Sequence, residues 1–168
     1  MSASSDFASE DVKYPMETKV KVGDSAPDFE GPTSDGARLG LKDFVGKKNV
    51  VLYFYPKDDT PGCTKEACSF RDNLDSVRKM GAEVVGVSLD SVESHKKFAS
   101  KYKLPFPLIS DKEKRVAEAY GVLRDTGMSA NRVTFIIDKA GKIAKIFLKV
   151  DVTKHTEEVV EALKAMSS

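Results

Sequence analysis

Two thiols carry the reactive potential of this sequence. Cys63 and Cys68 are the only cysteines among its 168 residues, and both lie in PKDDTPGCTKEAC, directly after the apolar segment VVLYFY at Val50 to Tyr55. In α/β proteins, the carboxyl end of a strand beside a helix N-terminus is where ligands bind. Thr60 suits an N-cap and Pro61 a first helical position, which sets Cys63 in the first turn. Unsatisfied N–H groups and the positive end of the helix dipole there favour a thiolate over a thiol. Four residues on, Ala67 begins an apolar stripe, so Cys63 faces partly inward. Cys68 follows Cys63 by five residues, in an intact helix a rise of about 7.5 Å and a rotation of roughly 140° past a full turn, so the two sulfurs diverge. A bridged pair needs Cα atoms within about 7 Å and convergent Cβ vectors. A Cys63–Cys68 disulfide therefore requires the first helical turn to unwind, which the backbone freedom of Gly62 would ease. A helical cysteine also serves as a small core hydrophobe. The Thr-Pro-Gly cap, the buried strand before it and a second thiol within reach favour redox chemistry.

That placement depends on the elements around it. Val50 to Tyr55 and Glu83 to Leu89 read as strands buried on both faces. Between them Ala67, Phe70, Leu74 and Val77 recur at helical spacing, predicting one helix that ends near Met80-Gly81. A second helix carries Val92, His95, Phe98, Ala99 and Tyr102. A strand-like segment spans Phe106 to Ile109, and a short third helix carries Val116, Ala117 and Tyr120. Val133 to Ile137 and Ile143 to Leu148 are strands joined by a Gly-containing hairpin connection, Asp138 to Lys142. A last helix carries Val159, Val160, Leu163 and Met166. A parallel βαβ half followed by a hairpin and a closing helix is an α/β pattern that resembles the thioredoxin-like fold, a mixed central β-sheet flanked by helices.

Composition narrows the classes. The chain has 27 Lys or Arg against 26 Asp or Glu, a net charge of +1, with 40% hydrophobic and 32% charged residues. Its mean hydropathy is -0.34 and its pI about 7.7. These values fit one soluble domain and exclude disorder and collagen. No basic stripe supports nucleic-acid binding or membrane attraction. Two cysteines with His95 and His155 are poor material for a zinc site, no cofactor is implied, and both histidines are taken as structural. Residues 1–19 are polar, contain Asp6, Glu10, Asp11 and Glu17 and lack Arg and any long apolar run, unlike a signal or transit peptide. They read as a flexible extension to a domain spanning 20–168, and the cytoplasm is the default compartment.

The stretch LYFYPKDDTPGCTKEAC resembles the active-site segment of the peroxiredoxins of the bacterioferritin-comigratory or PrxQ type, with their Pro-x-x-x-Thr-x-x-Cys motif at Pro56, Thr60 and Cys63. Val22 to Gly31 (VGDSAPDFEG) is similar to the family's opening, its N-terminal extension to the thioredoxin-like fold. Leu41 to Phe44 with Gly46, EVVGVSLDS, and Arg132 to Asp138 (RVTFIID) continue the likeness. The resemblance implies a thiol-dependent peroxidase acting on hydrogen peroxide and organic hydroperoxides. Cys63 would be its peroxidatic cysteine and Cys68 the resolving cysteine of an intramolecular disulfide. It also implies that Thr60 hydrogen-bonds the sulfur or the peroxide, that Pro56 shields the sulfenic acid, that Arg132 stabilises developing charge, and that Glu66 orients an arginine. Read without the family, Arg132 is equally a solvated charge at a strand end, Thr60 a helix cap, and Glu66 a charge suited to the start of a helix. Lys57, Lys65 and Arg71 read as solvated charges. A thioredoxin or glutaredoxin-like reductant is the family expectation, and a monomer is preferred because no distant C-terminal cysteine exists.

Two rivals share these residues. A thioredoxin-type reductase would use C-x-x-C, not this C-x4-C, and a cis-proline where Asn131-Arg132 stand. A redox sensor or copper module would use the thiols without turnover, but neither histidine lies near a cysteine in sequence.

Overall fold

The computed structural model describes residues 18–167, so the expected extension at 1–19 lies almost entirely outside the described residues. Thr18 is buried, and the Lys19 N–H donates to the Tyr120 carbonyl at 3.3 Å. A two-stranded hairpin comes first, β1 (Gly31–Pro32) against β2 (Arg38–Leu39). Its strands are too short to show a period, so the sequence does not announce it.

The main sheet has five strands in the order β5-β4-β3-β6-β7: β3 (Asn49–Phe54), β4 (Ala82–Ser88), β5 (Leu108–Ser110), β6 (Val133–Ile137) and β7 (Ile143–Phe147). β3, β4 and β5 run parallel, while β6 pairs antiparallel with both β3 and β7. The mixed sheet and its helical flanks form the thioredoxin-like fold that the pattern predicts. Alternation sorts each central strand between two cores. Val50, Leu52 and Phe54 face one with Val85, Val87, Phe135, Val116 and Tyr120, whereas Val51, Tyr53 and Tyr55 face the other with Cys63, Ala67, Phe70 and Leu163.

The helices are α1 (Pro61–Asp72), α2 (Leu74–Lys79), α3 (Val92–Tyr102), α4 (Arg115–Tyr120) and α5 (His155–Ser167). The single helix predicted across Ala67 to Val77 is in fact two. At Asn73 the backbone leaves helical geometry (φ −112°, ψ 12°), and the side-chain amide donates to the Ser69 carbonyl at 2.9 Å. An asparagine that serves backbone groups locally competes with the helical ladder, which explains the break. The predicted stop holds, with Met80 capping α2 and Gly81 at φ 78°.

Gly86 lies opposite Tyr53 in the β3–β4 register. A Cβ there would stand 2.8 Å from Leu108 Cδ2 and 3.0 Å from Tyr53 Cε1. Gly86→Ala should lower stability by about 1–3 kcal/mol through overpacking, read as an earlier urea midpoint with an unchanged slope.

Candidate active site

The end of β3 delivers the chain into the loop from Tyr55 to Thr60, and α1 starts at Pro61. Thr60 has the extended backbone of an N-cap (φ −91°, ψ 156°), and Pro61 occupies the first helical turn. Cys63 sits in that turn with 1% of its surface exposed, more deeply buried than the stripe argument suggests. Cys68 is half-buried, and both thiols are free.

β6 supplies the charge. Because β6 runs antiparallel to β3, Val133 stands opposite Phe54, and the residue before β6 reaches the loop that follows β3. That residue is Arg132. Its Nη2 donates to Cys63 Sγ at 3.3 Å and its Nη1 to Glu66 Oε1 at 2.7 Å. Arg132 is therefore not a solvated strand end. Hydrogen bonds from a cation to sulfur stabilise negative charge there, adding to the helix N-terminus. Burial alone would disfavour the guanidinium's charge, yet Glu66 and Cys63 together hold its pKa above the ordinary value.

Glu66 is 1% exposed. Burial raises its carboxyl from 4.5 to about 7 against the opposing pull of Arg132. Oε1 receives Arg132, while Oε2 is buried without a hydrogen-bond partner, as is the Tyr53 hydroxyl. Burial likewise pushes Tyr53 well above its usual pKa, with the Glu66 and Cys63 charges adding to it, so it stays neutral. One guanidinium thus serves both the sulfur and the carboxyl.

Gly62 also makes room in the formed site. A Cβ at Gly62 would lie 3.2 Å from Arg132 Nη2, so the missing side chain admits the guanidinium to the sulfur. Thr60 also departs from expectation. Its hydroxyl makes no cap and instead donates to the Lys57 carbonyl at 2.9 Å. Pro56 is half-buried just past β3, and Lys57 and Lys65 are exposed. Arg71 is no solvated charge: its Nη1 donates to the Tyr102 carbonyl at 2.7 Å, tying α1 to the end of α3. His155 is buried at the start of α5, its Nε2 on Thr134 Oγ1 at 2.8 Å.

His95 is fully buried, Nδ1 lying 2.7 Å from Asp58 Oδ2 and Nε2 3.0 Å from the Ile109 carbonyl. The sequence gives no reason to single out Asp58. A histidine on an apolar helical stripe that needs two polar partners is the signal that would have led to it.

Residues 22–146 match the AhpC/TSA family. The chain is 50% identical over 150 residues to a putative peroxiredoxin bcp of Coxiella burnetii, which covers 86% of this chain and 99% of the relative. Among solved structures it is similar to peroxidoxin BcpB of Mycobacterium tuberculosis, with a TM-score of 0.84 at 37% identity over 89% of this chain and 99% of that one. A Xanthomonas campestris bacterioferritin comigratory protein, described for its alkyl peroxide reduction activity, matches with a TM-score of 0.81 at 34% identity over 90% of this chain and 100% of its own.

A carboxyl raised from 4.5 to about 7 keeps its proton more readily in the folded chain than in the unfolded one. The folded state then binds more protons between those values, so this stabilising contribution is complete below about pH 4.5 and is lost as pH rises through about 7. Glu66→Gln should remove that slope. Urea unfolding from about pH 4.5 to about pH 7.5 should show wild type losing more stability than the variant, by up to about 3 kcal/mol.

Proposed function

The chain belongs to the AhpC/TSA family and is a thiol-dependent peroxidase of the Bcp/PrxQ peroxiredoxin kind, and from that premise we propose that Cys63 is its peroxidatic thiol and Cys68 the resolving one. Its substrate is a peroxide and its reductant a thiol donor such as thioredoxin. The observation that carries the assignment is the Arg132 guanidinium 3.3 Å from the Cys63 sulfur in the first turn of α1.

In this reading the Cys63 thiolate attacks the terminal oxygen of the peroxide. The S–O bond forms as the O–O bond breaks, and the departing hydroxide or alkoxide takes up a proton to leave as water or alcohol. Charge moves from sulfur to the leaving oxygen, and Arg132 lies where it can donate hydrogen bonds to that charge at both ends of the transfer. The Thr60 hydroxyl, which donates its hydrogen bond to the Lys57 carbonyl, keeps lone pairs that can accept from the peroxide O–H. Pro56 brings no N–H to the loop beside the sulfenic acid and limits water there. Glu66 holds Arg132 in place through Nη1.

Cys68 then attacks the Cys63 sulfenic sulfur. An S–S bond forms, hydroxide is displaced and leaves as water, and a dithiol donor supplies two electrons to restore both thiols. Five residues apart on an intact α1, the two sulfurs meet only after the first turn unwinds. Hydrogen peroxide and organic hydroperoxides both fit this chemistry, and the alkyl peroxide reduction described for the Xanthomonas campestris relative supports the second class. A thioredoxin or glutaredoxin-like protein is the donor in this reading, with the protein working as a monomer in a reducing cytoplasm. Among the described residues, no helix is long and apolar enough to cross a membrane.

One equivalent of hydrogen peroxide should convert the reduced protein to an intramolecular Cys63–Cys68 disulfide, while Cys68→Ser should stop at a sulfenic acid that a dimedone probe traps by mass. Undiminished peroxide consumption by Cys63→Ser would overturn the assignment. Arg132→Met should slow the peroxide step by about a hundredfold or more, measured by stopped-flow.

A further inference from the structure

We propose that Asp58 is a positioning residue for this reaction, holding the start of α1 against α3 through buried His95 and so setting how readily the Cys63 turn unwinds. The inference rests on the two-thiol cycle above and adds to it the groups that resist the unwinding.

Asp58 is a buried carboxylate in the loop between β3 and α1. Its Oδ1 accepts from the Tyr55 hydroxyl at 2.7 Å, and its Oδ2 accepts from Ser94 Oγ at 2.8 Å and lies 2.7 Å from His95 Nδ1. Its own N–H donates to Asp90 Oδ2 at 2.9 Å, which also receives Ser88 Oγ at 2.6 Å. Since a backbone carbonyl can only accept, His95 Nε2 donates to Ile109 O and locks the ring to β5. One loop residue is thereby tied to β3, to the end of β4, to α3 and, through the ring, to β5. Asp58, Asp90 and His95 come close enough to suggest a cation site, their nearest ligand atoms lying within 4.8 Å of one another. Tyr55, Ser94, Ser88 and the Asp58 N–H already donate to these two carboxylates, and the cluster acts as a clamp between the loop and its neighbours.

Asp59 continues it. Its backbone is left-handed (φ 61°), and its carboxylate accepts from Lys101 Nζ and the Tyr102 hydroxyl, both at 2.9 Å, at the far end of α3. Behind the thiols a second set of contacts begins. Ser69 Oγ and Thr156 Oγ1 are 2.7 Å apart, and the Phe70 and His155 rings meet edge to face at 5.8 Å, fastening the later turns of α1 to α5. Between Asp59 and Ser69, the side-chain hydrogen bonds to other elements that the structure shows come from Arg132. The segment from Thr60 to Cys68 is therefore the stretch that melts, held at the back by the contacts of Ser69 and Phe70 with α5 and restrained at the front by the Asp58 clamp, which must loosen as the turn opens.

The helix-formed state reacts with peroxide and the unwound state forms the disulfide. If the helix-formed state dominates, weakening the front clamp raises the unwound fraction nearly in proportion while lowering the reactive fraction little. Peroxide is mixed with reduced protein, and the second-order loss of the Cys63 thiol and the first-order appearance of the disulfide are followed separately by quenched-flow mass analysis. Asp58→Ala, which removes the carboxylate shared by Tyr55, Ser94 and His95, should form the disulfide about tenfold or more faster than wild type, at least the equilibrium effect of one hydrogen bond to a charged group, and should react with peroxide no faster than wild type. Ser94→Ala, which deletes one bond of the clamp, should shift the same ratio in the same direction by less and provides the test if Asp58→Ala fails to fold. A ratio of the two rates that stays within twofold of wild type in the folded variants, or a disulfide step that slows, overturns the clamp. If wild type itself forms no Cys63–Cys68 disulfide, the two-thiol reading fails and the clamp with it, an outcome distinct from a disulfide that forms at an unaltered rate in the variants.

Discussion

A single guanidinium shared between a sulfur and a buried carboxyl is the constraint on which the rest of this site depends. Arg132 donates to Cys63 and to Glu66 from a half-buried position, and a charge withdrawn from water is tolerable only when it is paired and hydrogen-bonded. The pairing demands that three chain segments converge: the first turn of α1, its second turn, and the residue before β6. An antiparallel neighbour for β3 is what makes that possible, because its amino end lies level with the carboxyl end of β3. A parallel strand in the same place would have sent its preceding residue to the opposite side of the sheet.

The same arrangement imposes a conflict. A thiol enclosed by a formed helix and a guanidinium is suited to attack, whereas a thiol that must meet Cys68 needs that helix to open. The architecture separates the two demands along α1. The first turn is held mainly by contacts that centre on Arg132, while later turns are fastened to α5 through Ser69 and Phe70. The break at Asn73 isolates this motion further, since α2 belongs to a separate helical run packed against β4. Opening the first turn then leaves the sheet and the core on its other face in place, and withdraws Cys63 from the core it shares with Tyr53 and Phe70.

Much of this was legible in the residues. The buried strand, the Thr-Pro-Gly start of a helix, the thiol in its first turn and the closing hairpin follow from period and capping chemistry. What escaped the sequence depends on side chains meeting across long separations. The hydroxyl of Thr60 had two nearby uses, a cap or a neighbouring carbonyl, and only the path of the loop decides for Lys57. Arg71 finds its carbonyl at the end of another helix, and Asp58 finds His95 across 37 positions. Gly62 illustrates a subtler loss: the room left by its missing side chain is used by a guanidinium 70 residues away. The split of the predicted helix at Asn73 was hidden because the apolar stripe runs on without interruption through Leu74 and Val77.

The burial of Cys63 has a further meaning. With 1% of its surface exposed, the sulfur most suited to attack is also the one that large molecules cannot approach, while the half-buried Cys68 is nearer to solvent. Packing acts here as a sieve placed before the chemistry. In the proposed reaction a narrow oxidant that can thread its terminal oxygen to the sulfur would be admitted, and a bulky electrophile with the same appetite for thiolates would be turned aside. Discrimination between an oxidant and a poison would then reside in the side chains crowding the first turn of a helix, and a change that loosened them would widen the range of molecules the thiol meets without altering the thiol.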